Sequence, residues 1–219
     1  MTYCTDTDLL HWEPDILRDA AFASQTLLTG TGDLAGTTFT LDSPGSFTTA
    51  HVTPTQVIVL SGGTPNGCYP IVSVDSGTQL TISVLYDGLF PTDGSPPVAS
   101  PIATSADRAF AIRTFWPQRR VVSDLLLAAA GLDPSDPDVD DKVTNPAALR
   151  KPAILGTLHM IYAALAAAAA EPAAPAARAD LYERLYRRAL RNTVVELDLN
   201  GDGEADTTRH LNVLQLQRA

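Results

Sequence analysis

Residues 198–206 carry oxygen-bearing side chains at the spacing of a calcium-binding loop. These side chains stand at positions one, three, five and nine of such a loop: Asp198, Asn200, Asp202 and Asp206. Gly203 occupies the sixth position, where the loop bends sharply. The twelfth position normally supplies a bidentate glutamate, but here it is Arg209. The first half of the loop therefore favours calcium chemistry and the second half opposes it.

The same stretch also has the pattern of a tight β-hairpin. Val195, Leu197 and Leu199 alternate with polar residues, and Asn-Gly and Asp-Gly pairs follow at residues 200–203. The segment HLNVLQL, which begins at His210, would be the return strand. We favour the turn over a calcium site, and both interpretations stay open at this point.

Two groups of side chains could bind a protein partner. One is FWPQRR, in which Phe115 and Trp116 precede Arg119 and Arg120. A buried aromatic pair with a charged rim is the favoured interpretation, and an interface anchor is the alternative. The other group is a row of arginines on the last helix, either a solvated face or a surface for an acidic partner: Arg184, Arg187, Arg188 and Arg191.

No pattern typical of catalysis occurs in the sequence. The four histidines lack the H-x-x-x-H spacing of a metal-binding helix, and neither a G-x-S-x-G elbow nor a glycine-rich phosphate loop is present. Cys4 and Cys68 are too far apart to form a C-x-x-C pair. We therefore expect no enzyme activity and no cofactor, apart from the calcium alternative.

Periodicity divides the chain into helical and β parts. Thr5 and Asp8 have capping-box spacing at the start of a helical segment over residues 5–25, and about five short strands follow between residues 26 and 104. Residues 91–105 have the composition of an exit linker, and helical periodicity resumes after it.

These patterns predict an α+β protein. We expect an α-helical bundle with an inserted small antiparallel β-barrel or sandwich and a C-terminal β-hairpin or extended tail. The predicted domains are a helical domain over residues 1–25 and 106–219 and a β-domain over residues 26–105.

The overall charge limits the kinds of partner. The 219 residues carry a formal net charge of -10, which argues against a surface that grips nucleic acid. An acidic wall suits an ordinary soluble protein or a conduit along which DNA slides without sticking. The N-terminus lacks the pattern of a signal peptide and no apolar run is long enough for a membrane span, so we expect synthesis in the cytoplasm and no membrane association.

Four segments together resemble head-to-tail adaptor proteins of tailed bacteriophages. They are YCTDTDLLHWEPD, AILGTLHMIYAALAAAA, DLYERLYRRAL and VVELDLNGDGEADTTRHLNVLQLQR. The resemblance covers residues 1–25 and 115–219, and the β-domain departs from the minimal family plan.

The resemblance implies a structural protein of the virion neck. Such a protein forms a ring of twelve copies, with the portal protein on one side and a stopper or tail-completion protein on the other, and DNA passes through it. The end of the chain is the segment we most expect to reach a neighbour or the portal, through four apolar residues: Leu211, Val213, Leu214 and Leu216.

Overall fold

In a computed structural model, residues 2–42, 45–91 and 94–211 are described, and helices and strands are mixed along the chain. The chain forms two compact units. One is Thr5–Phe115, and the other combines Met1–Cys4 with Trp116–Ala219. The mixture of helix and strand agrees with the α+β class.

The first unit contains a closed antiparallel barrel of six strands. The strands are β1 (Thr26–Gly36), β2 (Thr38–Leu41), β3 (Val57–Ser61), β4 (Gly67–Val74), β5 (Gln79–Ile82) and β6 (Ala103–Arg113). Their order around the barrel is β1-β2-β5-β4-β3-β6, and β6 pairs with β1 to close it. Closure leaves no unpaired sheet edge along the paired length.

Aromatic rings fill the barrel interior. Phe39 and Phe110 meet edge to face with centroids 5.1 Å apart, and Phe47 lies 6.1 Å from Phe110. Gly32 on β1 faces the Phe39 ring, and a Cβ added there would lie 2.4 Å from the Thr40 carbonyl oxygen. β1 therefore approaches its neighbour closely because Gly32 has no side chain.

Two short helices precede the barrel in the same unit. They are α1 (Asp6–Leu10) and α2 (Ile16–Asp19), and the predicted capping box of Thr5 and Asp8 is present at α1. The buried Asp6 carboxylate accepts hydrogen bonds from the Thr114 hydroxyl at 2.7 Å and the Phe115 N–H at 2.9 Å. These bonds hold α1 to the end of β6.

The observed elements differ from the sequence expectation in four places. The return strand of the C-terminal hairpin is Thr207–His210, whereas the sequence pattern placed it in HLNVLQL, which begins at His210 and lies largely outside the described residues. The barrel has six strands, since β6 takes up the end of the expected 91–105 linker and continues to Arg113. Residues 5–25 form two short helices and a 3₁₀ turn. Residues 5–25 and 106–115 cluster with the barrel, whereas the sequence patterns placed them in the helical domain.

The second unit contains three longer helices: α3 (Trp116–Ala129), α4 (Ala147–Ala168) and α5 (Ala173–Asn192). α4 packs against both α3 and α5. At the α4–α5 contact the rings of Tyr162 and Tyr182 stack with centroids 5.7 Å apart. Gly156 allows close approach, because a Cβ there would lie 2.8 Å from Val122 and 3.1 Å from the Tyr186 ring.

A two-stranded antiparallel hairpin completes this unit. β7 (Val194–Leu197) pairs with β8 (Thr207–His210), and the buried side chains of Val195 and Leu197 anchor β7. Asn145 fastens the other edge of β7, because its amide group donates to the Val194 carbonyl and accepts from the Glu196 N–H.

Within the described residues, α4 alone is long and apolar enough to cross a membrane. Its most apolar window has a mean hydropathy of 1.2, and 50% of that window is buried inside the protein. A buried core helix has the same length and composition, so the signal is weak.

Candidate functional site

The stretch with calcium-loop spacing forms the connection between β7 and β8. Asp198 is buried, and its two carboxylate oxygens accept the N–H groups of Gly201 and Gly203, both at 2.7 Å. The Asp206 carboxylate accepts the Leu199 N–H at 2.7 Å and the Asn200 side-chain amide at 2.9 Å. The loop therefore closes on itself through carboxylate-to-backbone hydrogen bonds.

These bonds change the acidity of Asp198. The N–H of Gly203, followed by that of Gly201, lowers the pKa of the Asp198 carboxyl, because hydrogen bonds stabilise the charged form. The backbone dipoles thus compensate part of the negative charge that a cation would otherwise neutralise.

The residue at the twelfth loop position has a different contact. The Arg209 guanidinium donates to the Ala130 carbonyl oxygen at 2.7 Å, beyond the last residue of α3. Gly131 follows with φ +76°, which is the left-handed conformation that ends many helices. Arg209 therefore caps a helix end, where a cation is favoured by the helix dipole.

A second acidic loop borders the same site. Asp138, Asp141 and Lys142 line a cavity of about 480 Å³ together with the loop after β7, of which Asp198 and Asn200 are part. The Lys142 ammonium lies 2.5 Å from Asp136, a contact that raises the pKa of Lys142 and lowers that of Asp136. The sequence did not show that Asp138 and Asp141 lie beside residue 198.

The two aromatic residues of FWPQRR have different environments. Phe115 is 1% exposed in the first unit, where its ring meets Phe22 edge to face at 6.2 Å. Trp116 begins α3 in the second unit and is 54% exposed. Burial removes Phe115 from the accessible surface, and Trp116 stays on it.

The two arginines of the same motif also differ. Arg119 is buried, and its guanidinium donates to the Cys4 carbonyl at 3.0 Å, so it ties the N-terminus to α3. Arg120 forms an ion pair with Asp124 one turn later, at 3.0 Å. Arg119 is therefore a structural residue, and Arg120 lies at the half-exposed border of the helix.

The arginine row of α5 lies at the surface. All four members are exposed: Arg184, Arg187, Arg188 and Arg191. Arg187 also pairs with Glu183 at 2.5 Å, one turn earlier. A basic face is thus present on a chain whose net charge is acidic.

An apolar face of α3 is exposed as well. Val121 and Leu125 are 45% and 54% exposed, and Ala128 continues the line one turn later. Their neighbours Val122 and Leu126 are the buried pair of the helix. Both pairs repeat every four residues, so periodicity alone did not show which pair faces solvent.

The C-terminal residues are described only in part. Leu211 is 6% exposed, and its N–H donates to the Thr193 carbonyl at 3.3 Å. Leu211 therefore anchors the end of the hairpin. Val213, Leu214 and Leu216 lie outside the described residues.

The barrel carries an acidic cluster that the sequence did not predict. Carboxylate oxygens of Asp33, Asp42 and Asp107 lie within 4.8 Å of one another, and all three residues are exposed. Desolvation, followed by the charges of Asp33 and Asp107, raises the pKa of Asp42. Strand pairing brings them together from distant positions in the chain.

No protein family, curated protein or solved structure matches the chain. Functional inference therefore rests on the geometry of the chain itself.

Proposed function

We propose that the protein is a structural subunit of the neck of a tailed bacteriophage. In this proposal, copies of the chain form a ring between the portal protein and a stopper or tail-completion protein. The helical unit acts as a bundle that forms the body of the ring, and the barrel is an accessory module. The protein acts by assembly, in the virion, and not by catalysis.

The observation that carries the proposal is the exposed apolar face of α3. Val121 and Leu125 are each about half exposed and lie one turn apart, and Ala128 is exposed one turn further along. Single exposed apolar residues are ordinary, but a line of them along one side of a helix favours a protein contact. Trp116 lies at the start of α3 on another side of the helix and is 54% exposed, so it is an additional candidate anchor, since tryptophan is common at the centre of interfaces.

Charge supports contacts between unlike surfaces of neighbouring copies. The helical unit has a basic row on α5, and it also has acidic loops at residues 133–141 and 198–206. A basic surface that meets a different, acidic surface on the next copy forms a heterologous contact, and such contacts generate rings when the rotation closes. The remaining acidic surface suits a conduit that does not retain DNA.

Electron microscopy of the purified protein, alone and with its portal protein, tests this function. We expect ring-shaped particles and a density layer on one face of the portal, with twelve copies when the portal is twelvefold. A protein that stays monomeric and leaves the portal unchanged would contradict the proposal.

A truncation tests the role of the C-terminus in docking. Removal of residues 212–219 keeps the β7–β8 hairpin and the Leu211 anchor, so the helical unit should fold as before. We expect weaker portal docking, measured by co-sedimentation. Unchanged docking with an unchanged circular dichroism spectrum would show that the tail has no part in it.

A calcium-dependent binding or adhesion module is the second candidate. The observation in its favour is that Asp138 and Asp141, from a second acidic loop, line the same cavity as Asp198 and Asn200. Arg209 and the hydrogen bonds that already satisfy Asp198 count against it.

Thermal unfolding with calcium and with EDTA separates the two candidates. A calcium-dependent module should unfold at a higher temperature with calcium, and EDTA should reverse the shift. A protein whose unfolding temperature is equal in both conditions is not calcium-dependent. Magnesium at the same concentration is the control for a general ionic effect.

A further inference from the structure

Three arginines of the α5 row form a charged stripe along the helix. Arg184, Arg188 and Arg191 are exposed, and none of them makes a hydrogen bond or an ion pair with the described residues. They are spaced four and three residues apart, so their side chains lie on one side of α5 over about 10 Å. Arg187 is already paired with Glu183. This arginine stripe therefore presents three cations that the chain itself does not neutralise.

The loop over residues 133–141 ends in a turn that presents the opposite charge. Asp138 and Asp141 are exposed, and neither carboxylate makes a hydrogen bond or an ion pair with the described residues. The Asp141 N–H donates to the Asp138 carbonyl at 3.2 Å, so these residues are the first and last of one turn, with Cα atoms less than about 7 Å apart. The buried side chains of Val139 and Val143 hold this aspartate turn in place. Its two carboxylates thus have nearly the spacing of two arginines one helical turn apart.

The 198–206 loop is a poorer partner for the arginines. Its three aspartates already accept backbone N–H groups of the loop itself: Asp198, Asp202 and Asp206. Glu204 is the remaining acidic side chain of this loop, and one carboxylate cannot match a row of three cations. In the first loop, Asp136 is likewise occupied by Lys142. Among the described loop residues, the aspartate turn therefore offers the pair of carboxylates best suited to the stripe.

We infer that the arginine stripe of one copy binds the aspartate turn of the next copy, with Arg184 and Arg188 against Asp138 and Asp141. The inference rests on the proposed function, in which copies meet through unlike surfaces, and it names the surface that receives the arginines. Each copy has one stripe and one turn, so each copy binds two neighbours, as a closed ring requires. Ion pairs at such a contact mainly select which surfaces meet and speed their encounter.

A second copy suits the stripe better than nucleic acid does. The net charge of -10 repels phosphate groups that approach the chain, and binding along a nucleic-acid backbone depends on many cations that act together. The aspartate turn, in contrast, is present once for every stripe in any assembly of this chain. Its paired carboxylates match two cations of the stripe in both charge and spacing.

Charge exchange between the two surfaces tests this contact in the full-length protein. One variant carries Arg184→Glu and Arg188→Glu, and the other carries Asp138→Arg and Asp141→Arg. Each variant alone brings like charges together, so we expect its ring fraction, measured by mass photometry, to fall about tenfold or more. An equal mixture should restore rings, because each surface of one variant then meets the opposite charge on the other. A single chain with all four substitutions should restore rings as well.

The other acidic loop provides the matched control. Asp202→Arg with Glu204→Arg reverses the same number of exposed charges. This control variant should form rings alone and should not restore rings when it is mixed with the α5 variant. Circular dichroism spectra equal to that of the wild type verify that each variant folds. If a double variant does not fold, the single reversals Arg188→Glu and Asp141→Arg replace it.

Three results would overturn the inference while leaving the ring itself in place. Wild-type rings that neither the mixture nor the fourfold variant restores would refute the contact. Restoration by the Asp202→Arg and Glu204→Arg variant would assign the contact to the other loop. Binding of a DNA duplex that the α5 variant loses, with no restoration by the mixture, would assign the stripe to phosphate groups. A wild-type protein without rings would instead refute the proposed function, and this contact with it.

Discussion

Single residues decide whether the loop after β7 is a metal site or a turn. Asp198 accepts two backbone N–H groups at 2.7 Å, while Arg209 points to the Ala130 carbonyl. Both residues therefore make structural contacts within the chain. The sequence motif correctly located the loop, but it did not identify these partners, because backbone donors and a helix end have no signature in the motif spacing.

Loss of the Arg209 cap should destabilise the helical unit. Arg209→Ala removes the hydrogen bond to Ala130 and the favourable charge at the end of α3, so we expect a loss of about 1 kcal/mol in the free energy of unfolding. Urea unfolding followed by Trp116 fluorescence in a Trp12→Phe background measures it. Arg188→Ala, at an exposed position on α5, is the control and should change stability by less than about 0.5 kcal/mol. Equal losses for the two variants would contradict the capping role.

The depressed pKa of Asp198 predicts a pH-dependent contribution to stability. Because the folded-state pKa lies below the unfolded value, the contribution is present above pH 4 or so and is lost as pH falls through the folded pKa. Asp198→Asn should therefore be less stable than wild type at pH 7, with a gap that narrows towards pH 3. Urea midpoints at several pH values test this, and a gap independent of pH would refute it.

At the scale of elements, the alternation of apolar and polar residues predicted those barrel strands that point large apolar side chains into the barrel. β6 was missed in part because its first half is rich in alanine and polar residues and follows a proline-rich segment, so only Phe110 and Ile112 show the inward alternation. Asn145 shows the same limit. Its side chain binds the backbone of β7, a contact that depends on tertiary structure and has no signature in the local sequence.

The packing of α4 depends on the missing side chain of Gly156. In an exposed helix, Gly→Ala normally stabilises by about 1 kcal/mol, but here the new Cβ would lie 2.8 Å from Val122. We expect Gly156→Ala to lower the free energy of unfolding by about 1–3 kcal/mol through overpacking. Ala164→Ser, at an exposed α4 position, is the control and should have a small effect by the same urea assay. A stabilised Gly156→Ala variant would contradict this expectation and show that α3 and α5 shift enough to accommodate the methyl group.

At the scale of the whole molecule, charge and exposed surface are the properties that bear on the proposed assembly. The net charge of -10 was available from composition, but the presence of a separate basic row on α5 became clear only when all four arginines were found to be exposed. Residues of the 133–141 and 198–206 loops line one cavity. The sequence could not predict this proximity, because the two loops are far apart in the chain and are brought together only by tertiary folding.

Charge reversal on α5 tests the proposed contact between copies. Arg184→Glu with Arg188→Glu should prevent ring formation while leaving the circular dichroism spectrum unchanged, because like charges would then face each other across the contact. Mass photometry at low and moderate salt measures the ring fraction. Lys151→Glu, an exposed substitution of the same sign on α4, is the control and should keep the ring. Rings that survive the double reversal would exclude the arginine row from the contact.

The N-terminal residues have a consequence for how such a protein changes over generations. The Cys4 carbonyl accepts from Arg119, and the Tyr3 N–H donates to the Ser123 hydroxyl at 3.1 Å, so the polypeptide leaves the helical unit and re-enters it at one place. A stretch with neighbouring entry and exit points is tolerant of insertion and exchange. We therefore expect that lineages can acquire, shorten or replace the intervening 5–115 stretch as one piece while the remaining helices keep their packing.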